Sequence, residues 1–307
     1  VLPRKILETA LLALDRPPAA RGKPDWSSDG RDWPNRQFSR FIQAGGLTWH
    51  VQVAGSGPVL LLLHGTGAAT HTWRDFLVPL SAHYTVVAPD LPGHGFTDTP
   101  PEAGMTMPGM ANGVTALLKA LDLAPDFAAG HSAGAAIMLM MCLSGQMSPR
   151  VVVSLNGALM PYGGPMSGVL APIARTIARN PFVPFLFSFR ASDPKVVSKL
   201  LSNTGSKIDE AGERYYARLA RRTGHTGAAL SMMGNWDLTG LAADLPRLQP
   251  RLVLIVGELD RAIPPADAER LAAICPSARI IRMPGLGHLS HEERPAETIA
   301  LFDEVFA

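Results

Sequence analysis

Cysteine is almost missing from this chain of 307 residues, which has only two. Cys142 and Cys275 share no metal-ligand spacing and make no disulfide framework. That argues against a stapled scaffold and against a zinc-type site. A charge excess is missing too. The formal net charge is +2, so no polyelectrolyte character points to nucleic acid. No run approaches the ~18 apolar residues of a membrane span. Residues 1–20 are apolar in places but interrupted by Arg4, Lys5, Glu8, Asp15 and Arg16. They do not read as a secretory signal, and a cytoplasmic protein is expected. Phosphate-binding glycine motifs are lacking as well. Nothing matches G-x-x-x-x-G-K-[ST], and Gly55-Ser56-Gly57-Pro58 lies between strand-like runs rather than before a helix. The acidic stretch Gly257-Glu258-Leu259-Asp260 has no His or Cys partner. Neither metal nor cofactor is expected.

What the chain does have is 47% hydrophobic residues, enough for one large core or a core with an inserted smaller domain. Residues 1–37 read as an N-terminal extension. Within it, Leu2 to Leu14 is patterned for a short amphipathic helix, and Arg16 to Asn35 for irregular structure. Ser39 to Val53 reads as a hairpin turning at Ala44-Gly45-Gly46. Strand-like runs then alternate with helical patterns. The runs are Val59–Leu63, Tyr84–Ala88, Phe127–Gly130, Val151–Leu155, Leu252–Val256 and Ile280–Met283. Such alternation predicts an α/β protein with a mostly parallel central sheet flanked by helices. Between about Met160 and Gly240 the pattern breaks into a helical, proline-interrupted stretch. The expected division is a core of 38–157 and 241–307 with an inserted helical cap of 158–240.

The chemistry centres on Gly130-His131-Ser132-Ala133-Gly134, a G-x-S-x-G pentapeptide between a strand-like run and a helix-like run. A serine on that sharp turn has a strained backbone and an exposed hydroxyl. It still needs a base, and the base needs an acid to fix its tautomer. In open α/β sheets such groups gather at the carboxyl ends of strands. Past the strand at 252–256 comes Asp260, and past the strand at 280–283 comes Gly287-His288. The predicted catalytic set is therefore Ser132, Asp260 and His288. Glu258 and His291 are the local competitors. Asn156-Gly157 occupies the other place where an acid can stand. The residues expected to offer oxyanion-hole N–H groups are Ala133, after the serine, and Thr66 in His64-Gly65-Thr66-Gly67. Asp90 in Asp90-Leu91-Pro92-Gly93-His94-Gly95 reads as a turn anchor.

In these motifs, and in their order, the chain resembles the α/β-hydrolase superfamily from about residue 38 onward. Ser132, where haloalkane dehalogenation needs a carboxylate, disfavours that branch. Further stretches resemble the family of magnesium chelatase accessory proteins of bacteriochlorophyll biosynthesis. They are Trp33-Pro34-Asn35-Arg36, the run from Leu63 to His71, Ser154-Leu155-Asn156-Gly157-Ala158 and Asn235-Trp236-Asp237-Leu238. The resemblance implies an α/β-hydrolase fold, serine esterase-like hydrolysis and an association with magnesium chelatase. A non-catalytic tetrapyrrole-binding role is the alternative it implies.

The expected ligand is a small hydrophobic ester or a tetrapyrrole. Pocket candidates in the core are His64, Gly65, Gly67, His131, Asn156 and Leu289. Those in or beside the cap are Met160, Phe185, Phe189, Met232 and Trp236. The cap is expected to roof Ser132 with Phe and Met side chains, Met166 among them. Its basic residues, such as Arg190, Lys195 and Arg214, suit an anionic tetrapyrrole, a peripheral membrane contact or an ordinary solvated face alike.

Overall fold

The computed structural model of the protein describes residues 22–161 and 182–307. The helix expected at Leu2–Leu14, and Met166, lie outside the described residues. A single sheet of eight strands organises the rest, in the order β1-β2-β4-β3-β5-β6-β7-β8. The strands are β1 Ser39–Ala44, β2 Leu47–Ala54, β3 Val59–Leu63, β4 Thr85–Pro89, β5 Phe127–His131, β6 Val151–Leu155, β7 Arg251–Gly257 and β8 Arg279–Met283. The hairpin at one edge is antiparallel, and so is its junction with β4. All remaining pairs are parallel. Gly45 and Gly46 make the hairpin turn at φ of 58° and 79°, the left-handed geometry that a two-residue turn needs and glycine supplies.

The apolar strands are explained by two faces of burial. Leu61, Leu63, Val152 and Leu254 pack on one side of the sheet. Leu60, Leu62, Val153 and Ile255 pack on the other. Successive side chains point to opposite faces, so a strand covered on both sides is apolar throughout. One side is covered by α1 (Met107–Ala120) and α2 (Ala133–Leu143). The other carries the last helix of the chain, Pro295–Phe306, through Phe302, Val305 and Phe306.

Between β6 and β7 the described residues form helices and no strand. The larger ones are α3 (Phe182–Arg190), α4 (Pro194–Asn203), α5 (Glu210–Ala220) and α6 (Thr223–Gly234). Asp193 and Asp209 cap α4 and α5 by accepting from the N–H groups of Lys195 and Gly212. This insert makes specific contacts with the strand ends, and those contacts define the site.

Candidate active site

Strand register sets the stage. Leu63 lies opposite Gly130, His131 opposite Leu155, Leu155 opposite Ile255, and Gly257 opposite Met283. The loops that follow these strands therefore leave the sheet at one carboxyl edge. Ser132, Asn156, Asp260 and His288 all sit in those loops.

Ser132 takes φ 51° and ψ −118°, a conformation that an L-residue holds only under strain. Two glycines make the turn that holds it. A Cβ at Gly130 would stand 2.5 Å from Ala135 N, and one at Gly134 would stand 2.6 Å from His64 O. Ser132 N donates to Leu155 O at 3.0 Å. The residue is half-buried, and α2 begins at the next position, so Ala133 N–H is one of the unpaired donors of a helix N-terminus.

Asp260 is buried and is held at both oxygens. Oδ1 accepts from the N–H groups of Ala262 and Ile263, each at 2.8 Å. Oδ2 accepts from Asn156 Nδ2 and from His288 Nδ1, again at 2.8 Å each. The last bond fixes His288 as the Nδ1–H tautomer with a basic Nε2. Asn156 stands in left-handed backbone at φ 46° and accepts from Ser290 Oγ at 2.7 Å. The turn weighed as an alternative place for an acid thus supplies an amide to the carboxylate instead. Glu258 is exposed. His291 is fully buried and bonds through Nε2 to Thr72 Oγ1 at 2.8 Å.

The turn after β3 is held from within. His64 donates from Nδ1 to Gly65 O and accepts at Nε2 from Leu91 N, both at 2.8 Å. Burial lowers its pKa. A Cβ on Gly65 would meet His131 Nδ1 at 2.9 Å and Ser132 Cβ at 3.0 Å, so this turn abuts the serine. His131 donates from Nε2 to His288 O at 2.9 Å. Burial, then the neighbouring imidazoles of His291 and His288, push it well below the usual histidine range. Asp90 is a structural anchor. It accepts from His50 Nδ1, Thr70 N and Phe96 N at 2.7–2.9 Å. Burial alone would raise its carboxyl, but His50 and these bonds hold it below the ordinary carboxylate value.

Among the described residues, the insert reaches the site through Thr204, Ser206, Met232 and His225. Thr204 O accepts from Arg261 N at 3.0 Å and His288 N at 3.4 Å, while Ser206 Oγ accepts from Leu289 N at 2.7 Å. Met232 Sδ lies 3.5 Å from the Thr66 hydroxyl. His225 bonds to Gly67 O at 3.1 Å. The other expected pocket residues differ in burial and contacts. Phe185 is exposed and Phe189 half-buried. Leu289 is buried against Ala191, Val197 and Leu201 of the insert. Trp236 packs against the core cluster. Met160 lines a cavity of about 20 Å³ behind Asp260, room for one water.

Sequence reasoning missed His225 and a buried network around Glu292. Glu292 accepts from Thr72 Oγ1 at 2.6 Å, from Tyr216 OH at 2.7 Å and from Arg74. Arg74 also bonds Asp209 at 2.9 Å. Burial raises the Glu292 carboxyl, and Arg74 opposes that rise. No local motif marks these residues, because their partners lie 76 to 220 positions away.

A profile of the Alpha/beta hydrolase family matches residues 60–301. The chain belongs to the alpha/beta hydrolase family. It is 40% identical over 265 residues to the magnesium-chelatase 30 kDa subunit of Rhodobacter capsulatus, covering 85% of this chain and 92% of that one. It is 26% identical to the 2-hydroxy-6-oxo-2,4-heptadienoate hydrolase of Pseudomonas putida, over 89% of this chain and 98% of that one. Among solved hydrolase structures, the epoxide hydrolase of Vigna radiata superposes with a TM-score of 0.73 at 23% identity, over 87% of this chain and 97% of that one. That likeness establishes the fold. Among the described residues no group of three or more His, Cys, Asp or Glu could hold a metal ion, and no helix is long and apolar enough to cross a membrane.

Proposed function

We propose that this alpha/beta hydrolase is a serine hydrolase that cleaves esters, with Ser132 as nucleophile, His288 as base and Asp260 as the orienting acid. The observation that carries this reading is the 2.8 Å bond from His288 Nδ1 to buried Asp260, at the sheet edge where Ser132 stands strained. Ser132 Oγ attacks the ester carbonyl while its proton passes to His288 Nε2. Backbone N–H groups of Thr66 and Ala133 hold the oxyanion. His288 returns the proton to the leaving alcohol. Water then attacks the acyl-enzyme, giving up its proton to His288, and the acid is released as His288 passes that proton to Ser132 Oγ.

We assign residues 38–157 and 241–307 to the core, 158–240 to a cap and 1–37 to an extension. A cap of apolar character beside Thr66 supports a hydrophobic ester as substrate. A fluorophosphonate probe tests the reading. It should label Ser132 in wild type and fail to label Ser132→Ala. Folded wild type that stays unlabelled would overturn the assignment.

One observation favours a second reading. The 40% identity to a magnesium-chelatase subunit supports a tetrapyrrole-binding accessory role at the same site without catalysis. Magnesium insertion into protoporphyrin, measured with chelatase plus wild type or Ser132→Ala, separates the two. Full stimulation by the variant supports the accessory reading, and its loss supports the hydrolase.

A further inference from the structure

His225 lies on α6 of the insert, 2% exposed, and it uses both ring nitrogens on the core. Nε2–H donates to Gly67 O at 3.1 Å. Nδ1 accepts from Gly95 N at 3.0 Å. The two bonds have opposite polarity, so they demand the neutral ring in one tautomer. Burial lowers its pKa to about 4, which keeps that form at neutral pH. Gly67 belongs to the turn that carries Thr66, and Gly95 to the loop anchored by Asp90. One imidazole thus ties two strand-end loops to the insert. Met232, two helical turns along the same helix, contacts Thr66 itself.

The turn needs such a tie. A peptide unit is planar, so fixing its carbonyl fixes the direction of its N–H. Gly65 O, in the peptide that bears Thr66 N–H, accepts from His64 Nδ1 and from Ala68 N at 3.2 Å. Those bonds hold one flank. On the other flank Gly67 has φ 77°, and among the described residues nothing lies within 4 Å of where its Cβ would stand. The bond from His225 fixes Gly67 O and with it the Ala68 N–H of the same peptide, which in turn donates to Gly65 O in the peptide of Thr66.

We propose that His225 is a positioning residue for the oxyanion turn, through which docking of the insert sets the direction of the Thr66 N–H. This inference rests on the serine-hydrolase reading above. A mispositioned donor weakens transition-state binding and leaves ground-state binding of the ester nearly unchanged.

The test compares wild type with His225→Ala, His225→Asn and His225→Gln. Glutamine offers one acceptor and one donor at about imidazole spacing. Asparagine is too short to serve Gly67 O as well as Gly95 N. The measurements are kcat and KM on a p-nitrophenyl ester, and Ki for an alkyl trifluoromethyl ketone. That ketone takes Ser132 Oγ at its carbonyl carbon, the Oγ proton goes to His288, and the ketone oxygen becomes an oxyanion. The Ala and Asn variants should lose roughly 10²-fold in kcat with KM within about twofold, and Ki should rise by the factor that kcat/KM falls. Gln should restore most of both. If Ala unfolds, the Asn–Gln contrast still decides. Wild-type kcat and Ki in Asn, or a loss confined to KM, would overturn the proposal. Wild type that neither turns over ester nor labels at Ser132 removes the hydrolase reading and this inference together. Wild type that reacts, beside variants that react equally well, removes this inference alone.

Discussion

Asp260 shows how a single carboxylate is made useful at the residue scale. Its four bonds leave no oxygen free to rotate, and the bond to His288 selects the tautomer. Asp260→Asn keeps the size but offers an amide N–H where His288 needs an acceptor. Turnover should fall roughly 10⁴-fold with the melting temperature little changed, as expected for a wrong tautomer. Steady-state kinetics beside circular-dichroism melts check this. Glu258→Gln is the control and should leave turnover intact, since Glu258 is exposed; damage from Glu258→Gln equal to that from Asp260→Asn would move the acid. The placement of Asp260 and His288 at the sheet edge was legible because each follows its strand by a short turn, and strands announce themselves by apolar runs. Asn156 was legible only as a position. That its amide serves Asp260 depends on β6 and β7 being neighbours, a fact no local pattern contains.

At the element scale, the elbow, the sharp turn that carries Ser132 between β5 and α2, is a matter of close approach. Gly134 on α2 brings the helix onto the turn after β3, and an added Cβ would stand 2.6 Å from His64 O. A backbone atom there cannot swing aside, so Gly134→Ala must push helix and turn apart. The expected cost is about 1–3 kcal/mol, read as a fall in Tm of roughly 2–4 °C per kcal/mol, together with slower labelling of Ser132. An unchanged Tm would show that the elbow has slack. The insert is held by a different kind of contact. Arg74 joins buried Glu292, behind the His288 loop, to Asp209 at the start of α5, and Tyr216 of α5 also donates to Glu292. Glu292→Gln leaves the Arg74 charge without its buried partner, which typically costs about 3–5 kcal/mol. Urea denaturation should report that loss, and a change below about 1 kcal/mol would show the network to be incidental. The elbow was readable because glycine, serine and glycine sit within five residues. The insert was readable only as a break in the α/β alternation, because its docking depends on pairs such as Thr72–Glu292 and His225–Gly67, 220 and 158 positions apart.

For the whole molecule, the buried histidines dictate how stability depends on pH. His64, His71, His94, His131, His225 and His291 are each fully or almost fully buried. Desolvation by burial lowers all six, His225 to about 4 and His291 to about 3. The unfolded chain protonates each near pH 6.5, whereas in the native state each takes its proton only at lower pH, His225 at about 4 and His291 at about 3. A lowered histidine pKa means that the unfolded state binds more protons below about 6.5. Stability is then full above that pH and falls as pH drops toward the folded values. Glu292, raised by burial, acts in the opposite sense as a single group. Lowered Asp90 adds its own loss only below about pH 3.8. Three of the six histidines, at about 1.4 kcal/mol per pH unit each, would remove roughly 4 kcal/mol per unit. Total stability is typically about 5–15 kcal/mol. The native state should therefore collapse cooperatively between about pH 6 and 4, within a span of one to two units. Tm measured from pH 7.5 to 4.5 should be flat above about 6.5 and then drop steeply. A Tm constant down to pH 4.5 would mean that these rings gain protons in the folded state. Replacing His291 with a neutral residue of similar shape should flatten the acid limb by close to one proton's worth of slope. His291 accounts for one proton of that limb because burial holds its ring neutral in the folded state down to about pH 3, whereas the unfolded chain protonates it near pH 6.5.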